Sequence, residues 1–189
     1  GLPSEPVTFP EYTPNRIGLN SLFAPNDSIL FVGHTTGIDI LNLRSREVRT
    51  VTKLGNLAQN TTVNDVKAFK EKIWACTAVG LAVADEGNPN LDLESSWKSY
   101  VYTPFGQAVG FNCILHVKDQ YEEMIYLGTQ GKGIVWYDEK NGVFWESAVT
   151  DDKIYSMSQG MGRVWAAGQW GLYSKFVRYW SLMDDTYRN

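Results

Sequence analysis

Two cysteines, two histidines and seven prolines among 189 residues leave several kinds of function without material. With no Cys/His cluster and no Asp-rich loop, the sequence offers no zinc or calcium site, and it implies no cofactor. The 17 Lys and Arg residues are scattered and outnumbered by 21 Asp and Glu, for a net charge of −4 and a pI near 5.2. Phosphate backbones need basic residues in clusters, so no nucleic acid is expected as a partner. No apolar run approaches the roughly 20 residues of a membrane helix, and the first residues lack the pattern of a signal peptide, so no membrane insertion is expected. Helix signals are nearly absent: Val66 to Lys72 holds helix formers but is too short to stand alone.

What is abundant is aromatic and glycine, and both recur in register. Met124 to Asp138 is a short apolar strand, a glycine-bearing turn and a second apolar strand; Ile29 to Leu41, Ile73 to Asp85 and Val164 to Phe176 repeat it. Stacked, the copies give an aliphatic column (Leu30, Ile73, Ile125, Val164), an aromatic column (Phe31, Trp74, Tyr126, Trp165), a small-residue column (Gly33, Cys76, Gly128, Ala167) and a turn glycine (Gly37, Gly80, Gly133, Gly171). Cys76 therefore reads as a small buried hydrophobe, and Cys113 aligns with Ser21, Asp65 and Ser156; no disulfide is expected between them. The aromatics recur about every 40 to 50 residues, near the period of four-stranded propeller blades.

Each copy is preceded by an inner strand, beginning at Leu19, Val63, Phe111 and Ile154, and three are followed by an outer one: Val48 to Leu54, Trp97 to Thr103 and Val143 to Val149. In order these are strands A to D of a blade. The outer strands alternate with polar residues, whereas the middle ones are apolar on consecutive residues. A half-solvated sandwich would alternate throughout, so strands covered on both faces point to an all-β propeller. Its four-stranded antiparallel blades span about 15–55, 56–104, 105–150 and 151–189, in one domain. Asn141-Gly142 ends a hairpin turn, and Glu86 to Ser96 is the one long insertion. Pro10 confines Val7 to Thr13 to an outer edge strand. That segment could complete the last blade if Val177 to Leu182 does not, closing a small ring; alternatively the four blades are part of a larger one.

Trp74-Ala75-Cys76-Thr77-Ala78-Val79-Gly80-Leu81, and Tyr126-Leu127-Gly128-Thr129 with Gly133-Ile134, resemble the repeat of two-component-regulator propellers. Trp165 to Leu172 departs by placing Gly168 at the threonine, and Phe31 to Ile38 by placing His34 there. The resemblance implies an extracytoplasmic or surface-exposed sensor module that recognises ligands, often glycan fragments, usually in rings of more than four blades.

In this topology the D-to-A and B-to-C loops share one face, which should carry function. The B-to-C loops bring His34, Thr36, Gln130, Lys132, Gln169 and Trp170 there, above a collar of Asn20, Asn64, Asn112 and Tyr155. Three asparagines in register suit hydrogen bonds to a sugar hydroxyl or a peptide carbonyl, or else the capping of neighbouring backbone. No packing column demands Trp170, and an indole at a loop tip suits stacking on a sugar or anchoring a protein. His34 has no orienting acid or nucleophile recognisable in sequence, and adjacent carboxylates such as Asp151-Asp152 fall in turns. The expectation is thus a non-enzymatic recognition module for a glycan or protein partner, with no catalytic residues assigned. A small carbohydrate-active enzyme and a structural part of a surface or virion assembly, including a homo-oligomer, are the alternatives.

Overall fold

The computed structural model describes residues 18–118, 123–147, 149–176 and 179–182. Among these residues sixteen strands form four antiparallel sheets of four strands each, joined by turns that include two short 3-10 turns. The first holds β1 (Leu19–Phe23), β2 (Ile29–His34), β3 (Gly37–Asn42) and β4 (Glu47–Val51); the second β5 (Val63–Phe69), β6 (Lys72–Thr77), β7 (Gly80–Asp85) and β8 (Lys98–Tyr100). The third holds β9 (Phe111–Lys118), β10 (Glu123–Thr129), β11 (Ile134–Asp138) and β12 (Val143–Glu146), and the fourth β13 (Ile154–Gly160), β14 (Arg163–Gly168), β15 (Leu172–Phe176) and β16 (Tyr179–Leu182). Each sheet is in sequence order, a meander folded into a propeller blade.

The hydrophobic gradient read from the sequence is the burial gradient. In β6 and β7 all but the end residues are buried, while β4 and β12 are largely exposed. Innermost strands pack in succession, β1 on β5, β5 on β9 and β9 on β13. The apolar core lies in those seams. Phe31, Ile38 and Ile40 meet Val63, Val66 and Ile73; Trp74, Cys76 and Leu81 meet Phe111, Ile114 and Leu127; Tyr126 and Ile134 meet Ile154, Val164 and Ala166. Full burial of such a side chain is worth about 1.5–3 kcal/mol, so blade stacking supplies most of the cohesion.

The small-residue column exists for these seams. A Cβ on Gly33 would lie 3.1 Å from Val63 Cγ1, and one on Gly128 would lie 2.7 Å from Ile154 Cγ2. The first residue of an inner strand thus seats on the small residue of the blade before it, Val63 on Gly33 and Ile154 on Gly128. Turn glycines serve a second close approach: a Cβ on Gly133, at φ 68°, would run into the Val149 carbonyl.

The expectations on outer-strand length, Leu54 and Trp165 need correction, and one open alternative is resolved. The outer strands are shorter than the alternation promised, β4 stopping at Val51 and β8 at Tyr100, where their ladders with β3 and β7 end. Leu54, assigned to a strand, is fully buried in the loop that follows. The last blade has its own outer strand, β16, paired with β15, so it does not need the segment Val7 to Thr13, which lies outside the described residues. Trp165, expected in the core like Trp74, is only partly buried. Among the described residues no blade follows its own.

Candidate functional site

The loop face is assembled by one hydrogen bond made four times. The first residue of each B-to-C turn donates its N–H to the carbonyl just ahead of its own inner strand or at its start: Thr35 to Gly18, Ala78 to Thr62, Gln130 to Gly110 and Gln169 to Lys153. Turns and strand entrances are thereby tied together on one side of the blades.

Each turn must also satisfy its own backbone, and the four copies do so with three kinds of group. In the second and third blades the threonine does it. Thr77 Oγ1 donates to the Gly80 carbonyl and accepts from Val79 N–H, and Thr129 Oγ1 donates to the Gly133 carbonyl and accepts from Lys132 N–H at 2.7 Å. In the first blade His34 stands in, its Nδ1 accepting from Thr36 N–H at 3.2 Å while Nε2 faces Asp39 Oδ1 at 3.5 Å. Asp39 also accepts from Thr50 Oγ1 at 2.6 Å, and His34 and Asp39 are both buried.

In the last blade the group comes from outside the hairpin. Asp152, 1% exposed, accepts from Gln169 N–H at 3.0 Å, from Trp170 N–H at 3.4 Å and from the Tyr173 hydroxyl at 2.6 Å. A Cβ on Gly168 would lie 2.1 Å from Asp152 Oδ2, which is why glycine replaces threonine there. Sequence reasoning missed this role. The signal was present in the pairing of a lost threonine with an aspartate in the D-to-A loop of the same blade.

The asparagine collar is a set of staples between blades. Asn20 Nδ2 donates to the Val63 carbonyl at 3.0 Å, Asn64 Nδ2 to the Phe111 carbonyl at 2.8 Å and Asn112 Nδ2 to the Ile154 carbonyl at 2.8 Å. The next position adds a rung, with Val66 N–H donating to Ser21 Oγ and Ile114 N–H to Asp65 Oδ2. Tyr155, at the collar position of the last blade, is instead half exposed with Lys153 Nζ 5.5 Å from its ring centre. Cys113, on the rung, and Cys76 are buried free thiols. Burial pushes Cys113 up to about 12 and Cys76 well above the ordinary thiol value.

Of the predicted residues, the structure gathers Gln130, Lys132, Gln169 and Trp170 on the loop face as side chains reachable from solvent, with Thr36 half-buried beside the first turn and His34 beneath it. Trp170 is 58% exposed on a turn that Asp152 holds chiefly through the Gln169 N–H. Lys132 Nζ pairs with Asp151 at 2.9 Å, leaving little net charge at that edge. Away from this face, a groove of about 890 Å³ opens at the rim between β8 and β12, with Tyr100, Tyr102, Phe144 and Glu146 among its walls. Tyr102 donates to Glu146 at 2.6 Å, and Phe144 packs on Tyr102, Phe111 and Tyr137. The groove is the outer end of a seam where the blades splay. Among the described residues no three His, Cys, Asp or Glu side chains converge as metal ligands, and no helix is long and apolar enough to cross a membrane.

Four stacked meanders of this kind are β-propeller blades. The chain is similar to the extracellular domain assigned to the hybrid two-component system BT4673 of B. thetaiotaomicron, with a TM-score of 0.69 and 19% identity over 91% of this chain and 23% of that one. It is also similar to the extracellular domain of the BT3049 system of the same organism (TM-score 0.62, 15% identity, 88% and 24% of the two chains). The computationally designed Ika8 protein aligns over 84% of this chain and 46% of its own, at 13% identity and a TM-score of 0.58. The chain thus spans about a quarter of the length of the two sensor domains. No protein-family model matches it, and no curated protein matches it in sequence. Identities this low establish the propeller fold.

Proposed function

We propose that the chain is a non-enzymatic recognition module that binds a neutral glycan on its loop face, with Trp170 as stacking platform and Gln130, Gln169 and Lys132 as hydrogen-bonding neighbours. One observation carries this reading: an exposed indole on a turn whose backbone is held by a buried carboxylate. An aromatic side chain on a backbone held before binding leaves less to order on contact, and its ring suits the apolar face of a sugar. The paired Lys132 and Asp151 make the region polar with little net charge, which favours hydrogen-bonding hydroxyls over ionic ligands. His34, Asn20, Asn64 and Asn112 act beneath this surface as the groups that hold turns and blades in place. Similarity of fold to extracellular sensor domains supports an extracytoplasmic sensing role and a location outside the cytoplasm.

The test is a calorimetric titration of the whole chain with a panel of neutral oligosaccharides, repeated with Trp170→Ala. At least one sugar should bind, and the substitution should weaken it by tenfold or more, as loss of a stacked aromatic worth about 1.4 kcal/mol would do. Equal binding by the variant overturns the site. Silence across the panel, together with capture of a protein ligand, overturns the glycan.

A further inference from the structure

Every blade has a leading face toward the next blade and a trailing face toward the previous one, and three seams inside the chain show what each is shaped to meet. On the leading face Ile38, Leu81 and Ile134 are fully buried, yet their counterpart Leu172 is 44% exposed. On the trailing face Val63, Phe111 and Ile154 are fully buried, yet Leu19 is 52% exposed; Val66 and Ile114 are buried, yet Leu22 is 65% exposed. Ala167, at the position where Gly33 receives Val63 and Gly128 receives Ile154, is exposed as well. Five of the ten exposed large hydrophobics described (Leu19, Leu22, Tyr155, Trp170 and Leu172) lie on or at the rim of these two faces. Apolar surface this concentrated marks an interface.

We propose that a second copy of this chain covers both faces. The leading face of one copy's last blade seats against the trailing face of the other's first blade, with Leu19 over Ala167 as Ile154 sits over Gly128. The two faces are unlike and complementary, so the contact is head-to-tail. Two such seams related by a twofold axis close a ring of eight blades, whereas a rotation that fails to close would give a filament. At the new seams the collar asparagine is replaced by Tyr155, which offers ring surface in place of the amide that staples blades within one chain. The same closure sets the first blade's Thr35-Thr36 turn next to the partner copy's Trp170, enlarging the loop face. The inference stands on the end faces alone and does not depend on glycan binding.

Light scattering on the full chain across a wide range of concentration should give twice the 21.3 kDa of one copy. Leu19→Glu and Ala167→Lys each place a charge at a solvent-exposed position, so each should fold with an unchanged circular dichroism spectrum and run as a monomer. Mixed in equal amounts they should dimerise again, because the mixed pair has one unaltered seam and one that matches Glu with Lys. A wild-type chain that stays monomeric overturns the proposal, as do oligomers that keep growing with concentration. A dimer that survives either substitution, or that fails to return on mixing, overturns the head-to-tail seam.

Discussion

Gly168→Ala probes the substitution of one capping group for another in the last blade. The new Cβ would stand 2.1 Å from Asp152 Oδ2 and 2.9 Å from Tyr173 Cε2, closer than any side chain tolerates. The carboxylate must move, abandoning the Gln169 and Trp170 N–H groups and the Tyr173 hydroxyl. Hydrogen bonds to a charged acceptor contribute about 1.5–3 kcal/mol each, and the 3.4 Å bond is weak, so the expected loss is about 3 kcal/mol. Asp152→Ala removes the same bonds without the clash and should cost about as much. Both changes abolish one set of contacts, so the double variant should lose about 4 kcal/mol instead of 6, a coupling near 2 kcal/mol. Urea unfolding of the four proteins, followed by far-UV circular dichroism, measures all three differences. If the two losses simply add, Gly168 is not reserved for the carboxylate and the capping argument fails.

The third blade offers a packing test: Gly128→Ala drives a Cβ to 2.6 Å from Cys113 Sγ and 2.7 Å from Ile154 Cγ2. It should lower stability by about 1–3 kcal/mol, whereas Ala167→Val, at the equivalent exposed position, should stay within about 0.5 kcal/mol in the monomer; equal effects would show that the column is not a seat. Glu139 joins the second and third blades through Lys72 at 2.7 Å and Lys70 at 2.9 Å. Partial burial pushes its carboxyl up, but the bonds from the two lysines outweigh this and hold it below the usual carboxylate range. A depressed folded-state pKa contributes stability above the unfolded value and loses it as pH falls through the folded one. The gap in urea midpoint between wild type and Glu139→Gln should therefore be larger at pH 7 than at pH 3, and an equal gap at both would refute the linkage. Buried thiols held far above neutral pH should not react with a thiol reagent in the native protein. Two equivalents should be released only in denaturant; rapid native labelling would contradict the seam packing.

Strand order, blade count and the columns were legible because each depends on local alternation and on a repeat that displays one position four times. Outer-strand lengths were not, since pairing ends where a neighbour ends, and Val48 to Leu54 carries its alternation past the last pair. The site was legible in outline only. The loop face follows from topology, and Trp170 stood out against Thr36, Val79 and Lys132 at its position. That Asn20, Asn64 and Asn112 spend their amides on the next blade was one of two readings the sequence held open, because an asparagine at a strand start has the same pattern whether it faces ligand or backbone.

The sequence by itself determined four blades, their strand order and the residue types each seam would use, because burial inside a repeat imposes period and size on every copy alike. The tertiary structure decided which copies of a column find a partner. Leu19 and Val63 are equivalent in the repeat, yet one is exposed and the other buried, because exposure depends on the blade stacked outside the repeat and no residue within it records that neighbour.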